Sequence, residues 1–382
     1  MTLRASKPAF NVREKLTELG RRFGLKGSEL AAAETAQDAR DLVSAGRKNL
    51  IFNGDMQVAQ RVAYPNTQPA VQYENIYACD RWNLAILGGN FGTWTVSQSN
   101  IVPSGQGFAR SLKLDCTTAQ ASPAANAYLL LDYRIEGQNL QSLKKGTPNA
   151  EQSTLSFWVR CTKSGDMQVN LRDADNTRVV GKKVTIHTAN AWEKKVVTFP
   201  ADTTGAYDND NNESMRIQFW LDAGSNFKAA AVPEQWEGMD NNELATACNL
   251  ALADSTSNDF YITGVQYEVG PIATEFEHRS YGEELVLCQR YYYNSPSHYH
   301  FLHKNGYYET QLFYFPTTMR DSPDVSVPTP VVRRVDGSSN ISYTGLSISR
   351  YPDGFYLSST TTNNNLFYTF IMSGAITADA EL

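Results

Sequence analysis

The 382-residue chain sets 34 lysines and arginines against 40 aspartates and glutamates, a net charge of −6, with 41% hydrophobic and 11% aromatic residues. That length holds two or three domains with cores of their own, and the balanced charge without basic stripes argues against nucleic acid as a partner. The longest apolar runs, such as YLLL at 128–131, are far too short to span a bilayer, so no membrane insertion is expected.

The opening, MTLRASKPAFNVREKL, lacks the apolar stretch of a signal peptide. The chain is therefore expected to stay in the cytoplasm where it is made, or to leave by a route other than secretion. Residues 1–46 carry a helical pattern. Asn11 is placed to cap VREKLTELGRRF, with Glu14 at the capping-box position and Gly24 beyond its end; Thr35 with Asp38 marks another start, closed by Gly46. Helices of about ten residues bury little core alone, which points to a docking or trimerising segment.

From 47 to 280 the texture is β. TLSFWVRCT alternates Leu155, Phe157, Val159 and Cys161; MRIQFWLDA puts Ile217, Phe219 and Leu221 in step; FYITGVQYEVG does so with Val265, Tyr267 and Val269. Period-two alternation predicts half-buried antiparallel strands, and many short strands between Gly-, Asn- and Asp-rich loops predict a two-sheet jelly-roll sandwich. The long stretch 225–258 contains DNNELATACNLAL, read as a short helix laid over a sheet. Five cysteines, Cys79, Cys116, Cys161, Cys248 and Cys288, lie far apart without a C-x-x-C pair, and read as reduced core thiols.

Pro271 ends the last sandwich strand. Ser280 with Glu283 forms a capping box for a linker helix over 281–290, which delivers the chain to a second, distal β domain, 291–382. That domain holds 17 aromatics in 92 residues, including 11 of the 20 tyrosines, a composition that suits wet recognition surfaces, subunit interfaces or a small sandwich core.

No G-x-S-x-G, H-E-x-x-H, P-loop or dinucleotide glycine pattern is present, so no enzyme activity is expected. Asp55, Asp80, Asp132 and Glu268 are the best candidates for inward carboxylates, with structural roles favoured over catalytic ones. His298 and His300 are two apart and on a strand would share one face, where imidazoles suit a divalent transition metal; an exposed surface pair is the commoner use of that spacing.

RKNLIFNGDMQVAQR, ACDRWNL and FYITGVQYEVGPIATEFEHRSYGEELVLCQRYY resemble a module of tailed-phage tail fibres and related virion proteins; KPAFNVREKLTELG and FYFPTTMRDSPDV resemble their N- and C-terminal parts. The resemblance covers most of the chain through Asn53, Gly54, Asp80, Arg81, Trp82, Gly264, Glu268, Phe276, Glu277, Arg279, Tyr281, Gly282 and Glu283. These read as architectural, with Arg81 or Arg279 pairing a sandwich carboxylate and Trp82 in the core. It implies a virion fibre protein whose sandwich looks like a carbohydrate-binding module and assembles as a homotrimer. Residues 1–46 would hold phage tail or head proteins, and 291–382 would face a host surface polysaccharide. No cofactor is expected to be required; the candidate ions are a transition metal on the trimer axis through His298 and His300, as in some phage fibre tips, and a structural calcium near Asp55 with Asp259 or Glu268, as in jelly-roll sugar-binding modules. Sugar chemistry, aromatic faces beside amides and carboxylates, points to Trp236, Asp240 and Asn241, and to Tyr299, Tyr307 and Tyr308. Three alternatives stand beside the tail fibre: a head-attached fibre or decoration protein, a polysaccharide-degrading tailspike, and a stand-alone bacterial sugar-binding module. The tailspike is disfavoured by the lack of a solenoid period. Deletion of 291–382 is expected to abolish cell binding and leave a folded sandwich.

Overall fold

The computed structural model describes residues 48–61, 73–89, 91–295, 299–304, 309–328, 331–334, 344–360, 367–372 and 375–382. The chain divides into two units, Met1–Lys48 and Asn49–Leu382. The helices expected over 1–46 lie outside the described residues. All elements below belong to the second unit.

Two antiparallel sheets face each other. The larger runs in the order β1 (Tyr73–Tyr77), β2 (Asn83–Leu87), β5 (Tyr128–Glu136), β10 (Glu213–Ala223), β7 (Gly165–Asp173), β8 (Arg178–Ile186) and β11 (Glu237–Gly238). The smaller runs β3 (Thr93–Ser99), β4 (Ser111–Thr118), β12 (Asp259–Val269), β6 (Ser153–Cys161) and β9 (Glu193–Phe199). From β5 onward the chain crosses repeatedly between the sheets, the jelly-roll pattern. The alternating residues meet between the sheets: Leu155, Phe157, Val159, Cys161, Ile217, Phe219 and Leu221 are all 0% exposed and share one cluster. All five cysteines are free and buried.

The last sandwich strand departs from simple alternation. Phe260 and Ile262 are buried in one phase, Val265 and Tyr267 in the other, and pairing with β6 skips between Thr263 and Gln266. Gly264 sits at this bulge with φ +62°, and a Cβ there would lie 2.5 Å from the Phe108 ring. The bulge keeps both halves of β12 facing the core.

After β12, helix α1 (Tyr281–Gln289) begins at Ser280, whose Oγ accepts from the Glu283 amide while Glu283 Oε2 accepts from the Ser280 amide, the anticipated capping box. The remainder forms three three-stranded sheets: β13 (Tyr292–Ser295), β21 (Ile376–Asp379) and β16 (Asp324–Ser326); β14 (Tyr299–Lys304), β20 (Phe367–Met372) and β17 (Val331–Arg334); β15 (Glu309–Tyr314), β19 (Gly354–Thr360) and β18 (Thr344–Tyr351). Phe315, Met319, Val325, Phe355, Leu357 and Ile376 centre its core. No helix among the described residues is long and apolar enough to cross a membrane.

Arginines close the joint between sandwich and distal strands. Arg279 donates to the carbonyls of Asn49 (2.7 Å) and Ile51 (3.1 Å) and pairs with Glu277 and Glu284. Arg290 bonds Glu136 through two nitrogens at 2.9 and 2.8 Å. Arg81, at φ +74°, pairs with Glu381 and lies 3.5 Å over the Tyr291 ring. Arg61 lies over Tyr77 and Tyr292 and pairs with Asp379 and Glu381. Arg81 and Arg279 of the motif thus hold structural contacts, and Trp82 is fully buried, whereas Tyr281 is exposed. Arg279 has its carboxylates within its own string, whereas Arg81 reaches one 300 residues away, outside the sandwich.

Candidate functional site

On the larger sheet the residues that face away from the core are not the wet surface that alternation predicts. Strand pairing sets them in rows across β2, β5, β10 and β7. One row reads Arg134, Arg216, Arg172; the next Asn83, Asp132, Gln218, Asn170; the third Ala85, Leu130, Trp220, Gln168. Rows two residues apart on a strand are separated by about 6.5 Å. The face therefore grades from cationic through polar to apolar over about 13 Å.

The segment 225–258 closes the apolar end. Its Leu244, Ala245 and Cys248 are buried with Ala85, Leu130 and Trp220 in a second cluster, with Tyr128, Phe227 and Met239 partly exposed around it. The segment lies over the sheet as anticipated, but the expected helix is reduced to one 3-10 turn, Asn241–Glu243, capped by Asp240. Tertiary bonds take the groups a longer helix would use. The Ala245 amide donates to Phe227, and the Asn242 carbonyl accepts from Ala229 and Ala230. The side chains of Gln168 and Asn170 hold the carbonyls of Glu243 and Leu244 at 2.8 Å each.

Between rows and segment lies a cleft of about 300 Å³, lined among others by Asn83, Tyr128, Asp132, Arg172, Gln218 and Phe227. Tyr128, Trp220 and Phe227 form a three-ring wall with centroids 5.2–5.3 Å apart. Trp220 is buried beneath the two partly exposed rings. In the polar row, Asn83 is 1% exposed, and neither its Nδ2 nor its Oδ1 meets a hydrogen-bond partner; the same holds for Asp132 Oδ1 and, in the cationic row, Arg172 Nε. An unsatisfied buried polar atom costs about 1–3 kcal/mol, so these atoms favour a polar occupant of the cleft, water or ligand.

The charges are unevenly matched. Glu213 holds Arg216 at 2.9 and 2.8 Å and stands 3.7 Å from Arg134, and Asp132 lies 3.4 Å from Arg216. Burial pushes the Asp132 carboxyl up, against the pull of Arg216 and Arg134. Burial, and next the charge of Arg216, push the Arg172 guanidinium down. Among the described residues no carboxylate pairs with Arg172 within 4 Å.

The four carboxylates singled out by sequence are all buried. Asp80 accepts from Gln60, Glu268 from Thr274, and Asp55 from Gln57; Asp132 alone lines the cleft. Of the sugar-directed residues, Asn241 lines the cleft and Asp240 caps its turn. Trp236 lies elsewhere, packed against the sandwich core, with its indole donating to Pro200 at 2.9 Å and Lys145 5.1 Å over its ring. Tyr307, Tyr308 and His298 lie outside the described residues, and for Tyr299 and His300 only the backbone, in β14, is described. Tyr128, Arg172, Gln218 and Phe227 were not anticipated; the signal for Tyr128, Gln218 and Arg172 was the outward phase of YLLLDYRIE, MRIQFWLDA and MQVNLRD, whereas Phe227 stands in a turn outside any alternating strand.

For cations, no group of three or more His, Cys, Asp or Glu converges among the described residues. Of the calcium donors considered from sequence, Asp259 has Lys113 at 3.2 Å, both Glu268 oxygens accept from Thr274, and Asp55 Oδ1 is buried without a hydrogen-bond partner.

No protein-family model matches the chain, and no curated protein matches it. Solved structures with similar parts include the enzymatically active domain of tailspike protein 4 from bacteriophage CBA120, at 16% identity and a TM-score of 0.31, covering 58% of this chain and 21% of that one. A putative sugar binding protein from Bacteroides thetaiotaomicron aligns at 12% identity and a TM-score of 0.30 over 58% of this chain and all of that one. A family 11 carbohydrate-binding module from Clostridium thermocellum, in complex with a mixed-linked tetrasaccharide, aligns at 9% identity and 0.26, over 53% and 97%.

Proposed function

We propose that this chain is a non-catalytic glycan-binding protein, and that the outer-face cleft of its sandwich holds a polysaccharide of the host cell surface. The observation that carries the reading is the junction of two partly exposed rings, Tyr128 and Phe227, with buried polar atoms of Asn83, Asp132 and Arg172 that lack a full set of hydrogen bonds. A sugar presents both complements, a C–H face for the rings and hydroxyls that donate and accept. The non-catalytic part is supported by Glu213: the common two-carboxylate mechanism of glycoside hydrolysis uses a second carboxylate across from the acid, and the one beside Asp132 is engaged bidentately by Arg216.

The wider setting rests on the sequence resemblance. In it the chain is a homotrimeric tail fibre in the virion, anchored to the particle by 1–46, with a head-attached fibre as the alternative placement. Three clefts on one particle turn weak single-site binding into stable attachment. The test is an array of neutral and acidic oligosaccharides probed with the full chain and with Tyr128→Ala. Binding weakened about tenfold by the substitution is expected from loss of one stacking face; binding that Tyr128→Ala leaves unchanged would remove the cleft from the account. Light scattering at three subunit masses would support the trimer, and a monomer would favour a free sugar-binding module.

A further inference from the structure

The cationic row of the cleft contains more positive charge than the protein itself uses. Arg134, Arg216 and Arg172 lie side by side on three neighbouring strands, where like charges directly opposite destabilise a sheet. The two carboxylates at this end, Asp132 and Glu213, stand within 4 Å of Arg134 and Arg216. Arg172 is the third cation, with Arg216 as its cross-strand neighbour, and its Nε is buried without a partner. Its charge is disfavoured where it stands, by burial and by Arg216. A cation kept in such a place, at the lip of a cleft, is compensated when an anion arrives.

We infer that the cleft takes an acidic sugar, whose carboxylate or phosphate is held by Arg172 while the ring lies over the polar row toward Tyr128. This rests on the glycan-binding reading above and narrows it. A guanidinium presents paired N–H donors matched to a planar carboxylate or to two oxygens of a phosphate, which a lysine would not do. The spacing agrees: one row, about 6.5 Å, separates the arginines from Asn83, Asp132 and Gln218, and this is about one sugar ring from charge to hydroxyls. The apolar third row then meets the next ring.

The experiment uses the full chain on an array holding neutral oligosaccharides, uronate-bearing ones, their carboxyl-reduced counterparts and phosphate-bearing ones, probed with wild type, Arg172→Gln and Tyr128→Ala. The expected result is binding confined to acidic glycans, lost on carboxyl reduction if the anion is a uronate, and weakened about ten- to hundredfold by Arg172→Gln, the loss of a charge-assisted hydrogen bond. Binding to phosphate-bearing glycans with uronates silent assigns the same arginine to phosphate. Neutral glycans bound as tightly as acidic ones, or an unchanged Arg172→Gln, overturn the inference while leaving the sugar cleft standing if Tyr128→Ala still weakens binding. Binding indifferent to both substitutions, or none on the whole array, overturns cleft and inference together. Circular dichroism melts of both variants separate lost binding from lost folding.

Discussion

Glu381 is the anion on which the sandwich depends from outside itself. Its two oxygens pair with Arg61 and Arg81, whose side chains are 8% and 2% exposed, and it is itself 7% exposed. Removing it by Glu381→Ala leaves Arg81 with the Tyr291 ring and the Arg134 carbonyl, and Arg61 with Asp379 and Asp80. Breaking a buried pair at one partner costs about 3–5 kcal/mol, because the other charge stays buried. The remaining contacts of both arginines place the cost at the lower end. Asn49–Leu382 spans 334 residues, so at about 2.1 cal/mol/K per residue the unfolding entropy is roughly 0.7 kcal/mol/K, and a loss of about 3 kcal/mol lowers Tm by roughly 4 °C. The assay is a calorimetric melt of Glu381→Ala beside Glu151→Ala, which removes the exposed partner of Lys144. The second change should cost under about 1 kcal/mol. The double variant Glu381→Ala with Arg81→Met should recover part of the loss, since it removes the stranded charge. A Glu381→Ala melt within 1 °C of wild type would refute the reasoning.

Trp236→Ala should lower Tm, by loss of packing and of the Lys145 contact, without altering glycan binding; a binding defect there would return this ring to the site. Gly264→Ala should destabilise by about 1–3 kcal/mol in denaturant melts, from the left-handed backbone and the clash with Phe108. A neutral result would show that the bulge is not needed. Burial alone would raise the Glu136 carboxyl, but the Arg290 pair prevails and holds it below its usual range. It therefore contributes stability above the ordinary glutamate range that is lost as pH falls through the lowered value, and Glu136→Gln should flatten the acid limb of a Tm–pH profile. An acid limb unchanged by Glu136→Gln would remove that term. The sequence-based expectation that deletion of 291–382 leaves a folded sandwich is revised: the deletion strips Arg61 and Arg81 of Asp379, Glu381, Tyr291 and Tyr292, so an unstable or insoluble sandwich is expected, and a soluble, cooperatively melting fragment would contradict this.

What the sequence shows most clearly is whatever is local. Leu155 to Cys161 alternate because one face of β6 meets the core, and Ser280 with Glu283 cap α1 through contacts three residues apart. The β12 bulge was already less visible, since its change of phase passes through Gly264 without a break in hydrophobicity. The cleft was hidden for a different reason. Its rows join residues 83 to 220, and their adjacency depends on β2, β5, β10 and β7 being neighbours in that order. The outward positions of β10, Arg216, Gln218 and Trp220, were legible only as the wet side of a strand. Trp236 drew attention because polar residues surround it in sequence, whereas in space its indole bonds Pro200. Glu381 lies 300 residues from Arg81, and no spacing rule connects them.

The most direct measurement is a crystal structure of the full chain with its tightest-binding array oligosaccharide. The expected result is a sugar ring in the outer-face cleft, stacked near Tyr128 and Phe227, with hydroxyls on Asn83 and Asp132 and its acidic group on Arg172. A saturated crystal with the oligosaccharide seated among residues 291–382 and the cleft filled only by water would contradict it.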